Sequence, residues 1–120
     1  MLRTPLSVAA VLAGALALSG CATDPRDNPV TWPVYAARMA AEDPGYADRR
    51  GEVERLLKSD PPAFWAEVDA GAGPILAQTF AAAGVPPARQ PLVLAALRAD
   101  DQIYGTSYDL LIAAFMANGG

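Results

Sequence analysis

Carboxylates are the only plentiful catalytic side chains in this 120-residue sequence, which carries 13 Asp and Glu and no His. A pair of Glu67 with Asp69, Asp100 or Asp101 has the chemistry to cleave a glycan, one group staying protonated as general acid while its partner acts as base or nucleophile across a cleft. The same residues also fit plainer positions, Asp100 and Asp101 on a solvated helix turn and Glu67 and Asp69 at a solvated helix end. A single cysteine, Cys21, and the absence of His argue against most zinc sites, Cys–His pairs and Ser-His-Asp triads. Ser59 and Ser107 are the only serines beyond position 20, and neither stands in a Gly-x-Ser-x-Gly elbow. Lys58 adjoins Ser59, but neighbours at a helix end diverge, and no Asp-x-Asp-x-Asp-Gly calcium loop is present. The expectation is a protein that is not an enzyme, with no catalytic residue, no cofactor and no metal.

Cys21 has a different chemistry open to it. Arg3 precedes an uncharged apolar run over residues 6–18, followed by Ser19-Gly20-Cys21 and then a polar stretch from Thr23. This is the layout of a signal peptide. A membrane-spanning helix needs roughly 20 apolar residues, so the run is short for a permanent span. Small residues at Ser19 and Gly20 suit a peptidase that closes on extended backbone, and the thiol of Cys21 can accept a diacylglycerol group. The run Leu18-Ser19-Gly20-Cys21 resembles the cleavage box of bacterial lipoproteins. The resemblance covers residues 1–21 and implies cleavage between Gly20 and Cys21, acylation of Cys21 and attachment to the membrane through that lipid. With Ala22 rather than Asp next in line, it implies the periplasmic face of the outer membrane, with the periplasmic face of the inner membrane as the alternative. An ordinary secretory signal or an uncut N-terminal anchor are the competing readings.

Beyond position 20, eight Lys and Arg face 13 Asp and Glu, a side-chain balance of −5. One lysine and no basic stripe argue against a nucleic-acid partner and against electrostatic adhesion to anionic lipid. A lone cysteine removes internal disulfides, so one modest apolar core must hold the domain. The expected organisation is a cleaved signal peptide over 1–20, a lipidated N-terminus and extended linker over 21–33, and a helical domain over 34–120. Pro25, Pro29 and Pro33 disfavour helix in the linker, and an extended proline-rich chain rising about 3.1 Å per residue would hold the body roughly 30–40 Å from the head groups.

The positioning elements all read as helix, giving an all-α fold, a small bundle or orthogonal array of five to six short helices. A first helix from Thr31 or Trp32 to Glu42 stops at Asp43-Pro44-Gly45. A second from Tyr46 to Lys58 turns Tyr46, Val53, Leu56 and Leu57 inward and pairs Glu54 with Lys58. Asp60 and Pro61 cap a short third helix through Phe64, Trp65 and Val68 to Gly71. A fourth carries Ile75, Leu76, Thr79, Phe80 and Ala83 on one face and ends at Gly84 in a left-handed cap. The spacing predicts a continuous fifth helix from Ala88 to Tyr104, ended by Gly105. Thr106 or Ser107 caps the last helix, whose residues 110–117 are apolar throughout and belong at the buried centre.

The nine aromatic residues beyond position 20 chiefly fill the core, but Phe64 and Trp65 are adjacent and cannot both point squarely inward. Trp32, Phe64 and Trp65 are therefore the candidate partner contacts. The favoured role is a lipid-anchored, non-enzymatic interaction, assembly or stabilising factor for another envelope component. The alternatives are a small binding protein for a lipid or other apolar ligand, and a carboxylate-based enzyme acting on peptidoglycan.

Overall fold

The computed structural model describes residues 24–120, and every regular element among them is helical. Among the described residues the α-helices are α1 Trp32–Glu42, α2 Tyr46–Ser59, α3 Pro61–Ala70, α4 Pro74–Ala83, α5 Gln90–Ala99, α6 Asp101–Thr106 and α7 Tyr108–Ala117. Short 3₁₀ turns occupy Pro25–Asp27, Pro29–Thr31 and Pro87–Arg89. The expected signal peptide, the expected cleavage box and Cys21 lie outside the described residues.

Punctuation residues set the helix ends. Asp60 accepts the Ala63 N–H at 3.2 Å ahead of Pro61, whose missing N–H costs nothing at that position. Gly71 (φ 85°) and Gly84 (φ 75°) close α3 and α4 in the left-handed region, which a side chain would resist. Ser107 Oγ accepts the Leu110 N–H at 3.3 Å and starts α7.

Helix α7 is the centre of the domain: every residue from Leu111 to Ala117 is buried. Helix α1 packs along it, α2 lies against α4 and α7, and α3 closes on α4. Phe115, fully buried, meets Phe80 at 5.2 Å and Phe64 at 6.1 Å between ring centroids. Tyr46, Val53, Leu56 and Leu57 from α2 are buried as their spacing requires.

The expected helix from Ala88 to Tyr104 is instead two helices. Asp100 leaves helical geometry (φ −128°, ψ 44°), α6 restarts at Asp101, and Gly105 lies inside α6 rather than ending its predecessor. Apolar spacing continues through the break because Tyr104 still packs inward, which disguises the change of axis in the sequence. The break has one further effect: Ile103, expected on the same apolar face, is 52% exposed.

The extended linker is also corrected. From Asp24 the chain coils into two 3₁₀ turns, and Trp32 is 1% exposed in the core. The folded body therefore includes the chain from Asp24 onward, ten residues earlier than position 34.

Candidate functional site

The N-terminal segment of the described chain is built from a twofold repeat of one local device. In Asp24-Pro25 and Asn28-Pro29, an Asx side chain caps a turn whose first residue is proline. Asp24 Oδ1 accepts the Arg26 N–H at 2.9 Å and Asn28 Oδ1 accepts the Val30 N–H at 3.2 Å. The Thr31 hydroxyl donates to the Pro25 carbonyl at 2.7 Å, which folds the second turn back on the first. Trp32 Nε1 donates to the Arg26 carbonyl at 2.7 Å, so the ring that anchors α1 in the core also holds the preceding segment.

Arg89 bolts this segment to the other end of the chain. Its Nη1 lies 3.3 Å from Asp27 and 3.5 Å from Asp24, and its Nε donates to Asn118 Oδ1 at 3.0 Å. Asn118 is fully buried and donates from Nδ2 to the Ala114 carbonyl at 2.7 Å. Gly120 N–H closes onto the Gly84 carbonyl at 3.0 Å. A Cβ at Gly119 would collide with the Ala83 carbonyl oxygen, so position 119 fits only glycine.

The Arg26 backbone N–H, followed by the Arg26 guanidinium and the Arg89 charge, holds the Asp24 carboxyl below its ordinary value of 3.8. The side-chain and backbone donors of Arg49 and Gly45 do the same for Asp43. A depressed folded-state pKa stabilises above the unfolded value and is lost as pH falls through the folded one. Amide exchange of residues 26–32 is expected to be pH-independent in protection from neutrality down to about pH 4 and to lose protection below 3.8. Equal protection at lower pH would show that the Asp24 contacts do not hold the segment.

Between this segment and α6 runs an apolar groove of about 230 Å³, lined by Pro29, Val30, Trp32, Pro33, Ile103, Tyr104 and Leu110, with Asp100 the one charged residue. Val30 is 81% exposed and Ile103 52%, while Val34, next to Pro33, is 62% exposed. Tyr108 is the remaining large exposed hydrophobic residue of the described chain. Its ring lies under the Lys58 ammonium at 5.0 Å.

Of the predicted contact residues, Trp32 and Phe64 are core residues, 1% and 0% exposed, which corrects their assignment as surface contacts. Phe64 takes the interior and Trp65 the flank, edge to face at 5.3 Å. Trp65 is half-buried and lines a small hollow with Tyr108 and Tyr104. Its partner role stays open, whereas Cys21 lies outside the described residues.

The carboxylate candidates are placed in different tasks. Glu67 Oε1 accepts the Leu76 N–H at 2.9 Å and caps α4 from α3, occupying the space that a Cβ at Gly73 would need. Asp69, Asp100 and Asp101 are exposed, and the groove contains only Asp100 of the four. Lys58 pairs with Glu54 at 2.9 Å while Ser59 donates to the Leu56 carbonyl, so the Lys58–Ser59 neighbours have separate partners. No group of three metal-ligating side chains is found among the described residues.

No family model matches this chain, and neither a curated protein nor a solved structure matches it. Its functional reading therefore depends on its own residues. Two parts of the site escaped the sequence: the Arg89–Asn118 lock and the Val30–Ile103 groove. The repeated Asx-Pro step was the available signal for the first turn pair, because it joins a cap to a residue preset for a turn. A polar Asn118 closing an eight-residue apolar run was the signal for a buried partner.

Proposed function

We propose that the protein is a lipid-anchored bacterial envelope protein, attached through acylated Cys21 at the periplasmic face of the outer membrane. Its role is non-enzymatic, as an interaction or stabilising factor for another envelope component. The observation that carries this reading is the box Leu18-Ser19-Gly20-Cys21 after a short apolar run, with Cys21 the only thiol in the chain. No described helix is long and apolar enough to cross a membrane. Glu67 is taken up in helix capping, which weakens the glycan-cleaving alternative. The apolar groove, at about 230 Å³, is smaller than the roughly 300–1,000 Å³ usual for a ligand that is mostly enclosed, and the larger hollow of about 530 Å³ beside Tyr35 and Gly119 is lined in part by the charged Arg26, Asp43 and Arg49, which suits an apolar ligand poorly. Trp65 and Tyr108, aromatic rings with one wet edge, are the contacts best suited to a protein partner.

In cells, Cys21→Ser is expected to move the protein from the membrane fraction to the soluble periplasmic fraction, at unchanged fold as judged by circular dichroism. Purification of the wild type from gently solubilised membranes should return an envelope protein that Trp65→Ala loses. Equal membrane partition of Cys21→Ser and wild type would contradict the anchor, and an empty purification at retained membrane attachment would contradict the partner role.

A further inference from the structure

On the reading that Cys21 is acylated, the chain leaves almost no slack between lipid and folded body. Three virtual bonds of 3.8 Å separate Cys21 from Asp24, so their Cα atoms lie within about 11 Å of each other whatever course residues 22 and 23 take. Asp24 is itself fixed, capping the first 3₁₀ turn and lying 3.5 Å from Arg89. The end of the domain that carries Asp24 must therefore sit at the membrane surface. The Thr31–Pro25 and Trp32–Arg26 hydrogen bonds fold Val30 back beside the start of this same segment. The apolar groove thus opens a few residues from the lipid, and two of the four large exposed hydrophobic residues of the described chain, Val30 and Ile103, line it.

We propose that this groove seats on the bilayer, with Val30 and Ile103 at the boundary between head groups and acyl chains, so that lipid and groove together fix the orientation of the domain. The occupant is a phospholipid surface because the lipid anchor delivers that surface to the groove. The attraction is apolar, since the chain is acidic and the groove offers no basic residue. The exposed Asp100 carboxylate at the groove keeps the contact shallow, because a charge is costly to carry into hydrocarbon. An amphipathic contact of this kind adds a second membrane signal to the acyl chains.

The test uses lipidated, full mature protein in phosphatidylcholine vesicles that carry a bromine quencher near the top of the acyl chain. A thiol-reactive fluorophore is placed at Val30→Cys, Ile103→Cys or, as control, Arg55→Cys on the exposed side of α2. All three positions are exposed, and an acylated Cys21 leaves only the introduced thiol to react. Quenching at positions 30 and 103 is expected to be several-fold stronger than at 55. Acylated protein, verified by intact mass, with equal quenching at all three positions overturns the seating while leaving the anchor in place. A protein cross-linked at 103 in native membranes, with no lipid quenching there, overturns it in favour of a protein occupant. An unacylated Cys21 in the same sample overturns both the anchor and the seating.

Discussion

Trp32→Ala is expected to destabilise the domain by about 3–5 kcal/mol, the usual cost of emptying a buried aromatic site. The ring is 1% exposed, so nearly all of its area is returned to water or left as a cavity. The lost Nε1 bond to the Arg26 carbonyl adds a second consequence, release of the 3₁₀ segment from the body. Small domains have roughly 5–15 kcal/mol in total, so the loss is a large part of the whole. Urea unfolding of the unlipidated mature chain carrying Cys21→Ser measures the first effect, and amide exchange at residues 26–31 measures the second. Trp32→Phe separates them: it keeps most of the apolar volume and should cost nearer 1 kcal/mol while still exposing the segment to exchange. If Trp32→Ala unfolds at the same urea concentration as its parent, the N-terminal segment is not part of the folded body.

Phe115→Ala should have a comparable cost, about 3–5 kcal/mol, through a different part of the core. Phe115 stands on the central helix α7 between Phe80 and Phe64, at 5.2 Å and 6.1 Å, and no exposed position is near enough in the ring cluster for solvent to fill the gap cheaply. At about 4–8 °C per kcal/mol for a domain of this size, the melting temperature should fall by more than roughly 10 °C. Phe115→Leu, which leaves a smaller void, should fall by clearly less. Equal melting temperatures for the alanine variant and its parent would mean that α7 is not the packing centre.

The core was legible because helical spacing and burial have the same cause. Residues 110–117 had no polar side to show water, and the structure buries Leu111 through Ala117. Asp60-Pro61, Gly71 and Gly84 marked helix ends because their backbone chemistry is local. The break at Asp100 was not legible. An apolar repeat that persists across a change of helix axis looks like one helix, whereas the backbone of Asp100 and the exposure of Ile103 reveal the difference.

The turns from Asp24 to Thr31 are hidden in the sequence for a related reason. Prolines exclude α-helix, but they are compatible with extended chain and with 3₁₀ turns alike, and the choice is made by distant partners. Here those partners are Arg89, 62 residues from Asp27 in sequence, and the core that receives Trp32. Trp32 and Phe64 were mistaken for contacts because an aromatic residue next to a linker, or next to another aromatic, has the same sequence signature whether it faces a partner or the core. Pairing decided it for Phe64: once Phe115 and Phe80 fill the space behind it, Trp65 must take the flank. Val30 and Ile103 lie 73 positions apart, and no periodicity links them; their shared groove exists only after both the segment and the helix break have formed.

Attachment of the protein through Cys21 is the central claim, and intact-mass spectrometry of the protein extracted from bacterial membranes tests it most directly. The account predicts a chain that begins at Cys21 and is heavier than the polypeptide by a diacylglyceryl group and its associated acyl chain, with the Cys21→Ser form lacking that addition. A membrane-extracted chain that retains residues 1–20, or one that begins at Cys21 with a free thiol, would contradict it.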